Sequence, residues 1–172
     1  SLPAGMILVV KEHPAARGKR PLSYYKKVEE IFNVRFVDPT LDPRPFIVNS
    51  KLVATIASSV GFEAIMLGKP VLTFGQTPYE ILPSSMVRRV KDINKLSENI
   101  ADLLQHYYFD EQALINYITA VMSRSVPIDF YTTMLGRKAQ LSLDDNPDRQ
   151  RDIRELARYT ISTLNIVSAQ KS

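Results

Sequence analysis

Apolar and polar positions change period repeatedly along this chain. Over the first 75 residues, short apolar runs alternate with stretches where apolar residues recur every three or four positions. The runs are Met6–Val10 (MILVV), Val34–Val37, Leu52–Ala57 (LVATIA) and Val71–Phe74. Short runs of this kind, rich in β-branched residues, predict strands buried on both faces. Between them Leu22, Tyr25, Val28, Ile31 and Phe32 fall on one helical face, and Pro43–Asn49 makes a short helix or turn. A further helix opens at Ser58-Ser59-Val60-Gly61 and runs to about Leu67, where Gly68-Lys69-Pro70 stops it. Met86–Val90 predicts a short fifth strand.

The second half is helical in pattern. Ile93, Leu96, Ile100, Leu103 and Leu104 form one stripe. Leu114, Ile115, Ile118, Val121 and Met122 form another, and Ile153, Leu156, Ala157, Thr160, Ile161 and Leu164 a third. Asn146-Pro147 marks the start of the last helix, with Asn as cap and Pro at the first helical position. Val126–Asp145 carries no clear period and is expected to be rich in loop. Strands separated by helical patterns mean βαβ units. The expected fold is α/β: a Rossmann-like parallel sheet of at least four strands with helices on both faces, plus additional C-terminal helices. The expected division is residues 1–125 as the Rossmann-like domain and 126–172 as a loop and C-terminal helix.

Composition narrows the chemistry. The chain has 172 residues, 45% of them apolar and 23% charged, which is ordinary for a globular domain. The absence of Cys excludes disulfides, thiolate metal sites and a cysteine nucleophile, and favours a reducing compartment. Two His leave little room for a metal centre, and there is no Asp-x-Asp at a strand end. No metal is therefore expected at the site, and no cofactor. No apolar run approaches the ~20 residues of a membrane span. No signal peptide is visible at Ser1-Leu-Pro-Ala-Gly, and the lack of an initial Met is expected of a piece of something longer. A net charge of +4 is compatible with phosphate or an anionic surface but is too scattered to demand nucleic acid.

In open parallel sheets, ligands bind beyond the carboxyl ends of the strands. Those ends here are Lys11–Pro14, Asp38-Pro39, Ala57–Ser59 and Phe74–Gln76. Ser58 and Ser59 stand where a strand meets a helix, beside amides with no partner of their own and the positive end of the helix dipole. Gly61 would let a ligand approach the backbone. One serine suffices to cap the helix, so plain capping is the alternative. Glu63, four residues after Ser59, could accept hydrogen bonds from ribose hydroxyls or simply be a solvated first-turn acid. His13, held extended by Pro14, can donate to a phosphate, with Lys11 adding charge. Gly75 opens the turn after the fourth strand, and Tyr79 could stack on a base or sugar or pack in the loop.

Taken together, KEHP after the first strand, SSVGFEAIMLGKPVLTFG and the Tyr that follows resemble the capsule polysaccharide biosynthesis proteins, a group that includes bacterial Kdo transferases. The His-Pro and serine pairs are also similar to the two nucleotide-binding motifs of bacterial sialyltransferases and polysialyltransferases. All are GT-B glycosyltransferases, with two Rossmann-like domains facing a cleft. The resemblance covers roughly Met6 to Tyr79. It implies that this chain is a C-terminal donor-binding domain whose partner N-terminal domain, with the catalytic base, lies elsewhere. It further implies that His13, Ser58 and Ser59 hold the donor phosphate and that Glu63 binds the ribose. The donor implied is a CMP-activated sugar such as CMP-Kdo, and the acceptor a glycolipid or polysaccharide. The implied setting is cytoplasmic, peripheral to the inner membrane, with capsule assembly proteins as further partners. Rival readings are a teichoic-acid-type polyol-phosphate transferase, a UDP-sugar epimerase, which would want more acidic residues in the cleft, and a non-catalytic module assisting polysaccharide assembly or export.

Overall fold

The computed structural model of the chain describes residues 2–16, 18–129 and 147–169. It divides into two compact units, Ser1–Tyr117 and Ile118–Ser172. The first unit is a mixed α/β structure: β1 (Leu8–Lys11), α1 (Leu22–Glu29), β2 (Val34–Val37), α2 (Arg44–Asn49), β3 (Val53–Thr55), α3 (Ser59–Met66), β4 (Val71–Thr73), β5 (Val87–Arg89) and α4 (Leu96–Gln105). α5 (Glu111–Ser123) and α6 (Pro147–Ala169) complete the chain. Every strand pairing is parallel, in agreement with the βαβ pattern.

The strands do not form one continuous sheet. They form a three-stranded sheet in the order β3-β4-β5 and a separate pair, β1-β2. In the larger sheet Val53 faces Val71, which in turn faces Val87. β4 is central and wholly buried. Successive residues of a strand point to opposite faces, and the core follows that rule. Val71 packs with Ile47 of α2, Ala64 and Ile65 of α3, and Leu114 of α5. Leu72 packs on the other side with Val90 and with Ile100 and Leu103 of α4. Helices therefore cover both faces of this sheet. α3 ends at Gly68, whose φ of 68° is the left-handed geometry a glycine adopts without strain. The amides of Gly68 and Lys69 return to the Ile65 and Ala64 carbonyls at 2.9 Å each.

The smaller sheet departs from the sequence expectation. Its apolar run predicts full burial of β1, yet Leu8 and Val9 are 40% and 46% exposed. The predicted stripe on α1 also stops short: the helix ends at Glu29, leaving Ile31 and Phe32 beyond it and exposed. What holds α1 to the sheet is aromatic. Tyr25 meets Tyr24 edge-on at 5.4 Å and Phe36 of β2 at 5.5 Å. An apolar run states what a strand tolerates, and here few side chains among the described residues cover it.

In the second unit α6 begins at Pro147 as the sequence predicts, while Asn146, expected to cap it, and residues 130–145 of the expected loop lie outside the described residues. Asp152 is fully buried and accepts the Asp129 amide at 3.1 Å and Arg151 at 3.0 Å. Tyr159 donates to the Arg124 carbonyl at 3.0 Å. Among the described residues no helix is long and apolar enough to cross a membrane.

Candidate functional site

The carboxyl edge of the larger sheet carries the serine pair. Ser58 is the N-cap of α3, with extended backbone and a hydroxyl that accepts the Val60 amide at 3.3 Å. Ser59 is the first helical residue, and its hydroxyl donates to Glu63 at 3.4 Å. The two serines thus split the readings made of them. Ser58 does the capping, and Ser59 keeps a hydroxyl that the helix does not need. Both are exposed, at the positive end of the helix dipole. Glu63 is half-buried and lies beyond the first turn, so its carboxylate serves no capping box.

Gly61, Gly75 and Tyr79 build the backing of this edge. A Cβ on Gly75 would come within 3.0 Å of the Ile56 carbonyl, so the turn after β4 runs against the end of β3. Tyr79 is buried in the core, stacked on Phe62 with ring centroids 6.1 Å apart. Its hydroxyl donates to the Ser58 carbonyl at 2.8 Å. Burial pushes that hydroxyl above its ordinary pKa, so it stays protonated and donating. The expectation that Tyr79 stacks on a base or sugar gives way: both its ring and its hydroxyl are already engaged. Gly61 is small for the same reason, since Tyr79 occupies the space beside it.

The β1-β2 pair holds the other predicted residues. Lys11 donates to the Pro39 carbonyl at 2.7 Å, tying the end of β1 to the loop after β2. His13 is exposed, and its Nδ1 accepts the Ala15 amide at 3.1 Å. A ring nitrogen that accepts carries no proton, so the neutral ring bears its proton on Nε2 and offers it as a donor. Glu12 is clamped between Arg20 and the Tyr25 hydroxyl, both at 2.9 Å. The bond to Glu12 holds the Tyr25 hydroxyl above its ordinary pKa. Beside this clamp an open cavity of about 490 Å³ is lined by Glu12, Tyr25, Glu29, Phe36 and Asp38 among others. It has aromatic edges and carboxylates that accept hydrogen bonds.

A family match covers both edges. The family profile described as "Capsule polysaccharide biosynthesis protein" matches residues 1–119, more than two thirds of the chain. The chain belongs to that family. Protein FixF of Sinorhizobium fredii is 35% identical over 95 residues, which are 55% of this chain and 22% of that protein. The chain thus spans about a fifth of that relative's length. No solved structure matches the chain significantly.

Within this capsule-synthesis domain, Ser58, Ser59, Gly61, Glu63, Gly75 and Tyr79 are brought together around the start of α3. Lys11 and His13 sit at the end of β1 on the other sheet, and no hydrogen bond joins them to the serine pair. Sequence reasoning marked Asp38 only as a strand end and did not single out Glu12, Tyr25 or Glu29 as lining residues. Asp38 sits at a strand end that the pattern marks, and Glu12 is the one acid between Lys11 and His13. Tyr25 and Glu29 face the cavity from the turns of α1, which only the packing of α1 on β2 reveals. Among the described residues no group of three or more His, Asp or Glu gathers as a metal site would need.

Proposed function

We propose that this chain is the donor-binding part of a glycosyltransferase of capsule or other surface polysaccharide synthesis, taking a CMP-activated sugar such as CMP-Kdo. The complete protein would have the GT-B arrangement, with the acceptor and the catalytic base held across a cleft. The observation that carries the reading is that one family match spans both the exposed His13 and the exposed Ser58-Ser59 pair at the start of α3.

The chemistry follows from those groups. The Nε2–H of His13, the Ser59 hydroxyl and the first amides of α3 would hold the donor phosphate, with Lys11 adding charge. The cavity beside Glu12 would take the nucleoside, with Asp38 and Glu29 accepting from ribose hydroxyls and Tyr25 and Phe36 giving apolar edges. Glu63 would stand at the far side of the phosphate. Binding requires the carboxyl edges of the two sheets to face one ligand, as in other parallel-sheet nucleotide sites.

Calorimetric titration of the chain with CMP tests this. A charge-assisted hydrogen bond contributes roughly 1.5–3 kcal/mol. His13→Ala is therefore expected to weaken CMP binding by roughly 10- to 100-fold while cytidine affinity and thermal unfolding stay unchanged. Equal CMP affinity in parent and variant would remove His13 from the site. No CMP binding by the parent chain would turn the reading toward a non-catalytic assembly module.

A further inference from the structure

One side chain joins the loop after β4 to the start of α3. The Tyr79 hydroxyl reaches the Ser58 carbonyl across 21 residues of sequence, at 2.8 Å. That carbonyl also accepts the Gly61 amide at 3.1 Å, so both bonds fix its direction. The Ser58 carbonyl and the Ser59 N–H belong to one peptide plane, and in a trans peptide they point in opposite directions. Holding the carbonyl on the Tyr79 side therefore turns the Ser59 N–H to the other side, where no helix partner waits for it.

The surroundings are built to keep this bond. A Cβ at Gly61 would lie 2.2 Å from the Tyr79 hydroxyl and 2.9 Å from Cζ. Gly61 does not have a positive φ, so the backbone does not demand a glycine there; the tyrosine does. The loop itself is locked by Glu80, whose carboxylate accepts the Thr77 amide at 2.9 Å and the Thr73 hydroxyl at 3.2 Å.

We propose that Tyr79 is a positioning residue for the anion site at Ser58-Ser59, aiming the Ser59 amide by gripping the carbonyl of the same peptide, with Gly61 kept small to admit it. This rests on the reading of the serine pair as the phosphate-holding group. Tyr79 touches no ligand and acts through the peptide plane alone.

The test uses the full chain, with CMP and cytidine as probes and amide hydrogen exchange at Gly61, which donates to the Ser58 carbonyl, as a readout independent of any ligand. Tyr79→Phe keeps the ring and removes the hydroxyl. It is expected to lower CMP affinity roughly fivefold, the size of one neutral hydrogen bond, to leave cytidine affinity unchanged and to speed exchange of the buried Gly61 amide, which donates to the same Ser58 carbonyl, while α4 amides stay as they are. Gly61→Ala is expected to weaken CMP binding more, and Gly61→Ala combined with Tyr79→Phe to recover part of that loss. If Gly61→Ala does not fold, Tyr79→Phe carries the test alone. CMP binding by Tyr79→Phe equal to the parent overturns the proposal. If the parent does not bind CMP, the phosphate reading falls and Gly61 exchange decides the rest: faster exchange in Tyr79→Phe upholds the grip of Tyr79 on the peptide, and unchanged exchange overturns it.

Discussion

The two parallel sheets of this molecule are made from nearly the same kind of sequence and end in opposite conditions. Val71-Leu72-Thr73 of β4 is wholly buried, flanked by strands on both edges and helices on both faces. Leu8 and Val9 of β1 have one strand beside them and stand half in solvent. The larger sheet is held by two clusters of mainly aliphatic side chains, one of them also holding Tyr79 and Phe62, the smaller by a cluster of three aromatic rings and by the clamp on Glu12. The difference teaches that an apolar run sets the strand, and the neighbours set how much that strand contributes.

The sharpest way to break this comparison is to truncate a side chain in each sheet. Leu72→Ala removes a fully buried side chain and is expected to cost about 2–5 kcal/mol in urea unfolding. Val9→Ala removes a half-exposed one and is expected to cost under about 1 kcal/mol. Similar losses would mean that β1 is as well covered as β4. A finer contrast lies within the serine pair. Ser58→Ala removes the cap and should lower stability by about 1 kcal/mol, whereas Ser59→Ala should leave it nearly unchanged. The reverse order in thermal melts would assign the cap to Ser59.

The smallest effect is electrostatic. In the larger sheet Arg88 pairs with Asp102, holding that carboxyl below the usual carboxylate range, and His106 adds to the shift at 2.9 Å. A lowered native pKa contributes stability above the ordinary carboxylate value, and that stability is lost as pH falls through the lowered one. Melting temperature should therefore fall less steeply on acidification in Asp102→Asn than in the parent. Parallel curves in low salt would show the pair to be without effect, as many exposed pairs are.

Much of the fold was legible because burial and period coincide in the larger sheet. Each predicted strand is present to within two residues at either end, β2 without any shift, and Gly68-Lys69-Pro70 ends α3 where expected. The split between β1 and β3 was not legible, since no residue marks which strands pair. The candidate site was legible as far as placement goes: His13 and Ser58 stand at the strand ends where the pattern put them, beside turn-forming neighbours. It was illegible at Tyr79, because a tyrosine in a loop looks the same from sequence whether it faces a ligand or fills a hole. The available signal was Gly61: a glycine inside a helix that breaks no turn asks what lies against it, and the answer is 18 residues further along.

The turn at Gly68-Lys69-Pro70 has a consequence for how this domain could diversify. It lies at the amino ends of the strands, joined to β3 by the Pro70 carbonyl and the Val53 amide, on the opposite rim from Ser58 and Gly75. A Cβ at Gly68 would meet nothing within 4 Å, so its one requirement is a left-handed backbone, whereas Gly61 is hemmed in by Tyr79. The two glycines therefore constrain variation differently: Gly68 by its own left-handed backbone, which strains any other residue, and Gly61 by the tyrosine packed beside it. A fluorophore or surface tether attached at Lys69 would ride with the domain while leaving the rim of Ser58 and Gly75 untouched.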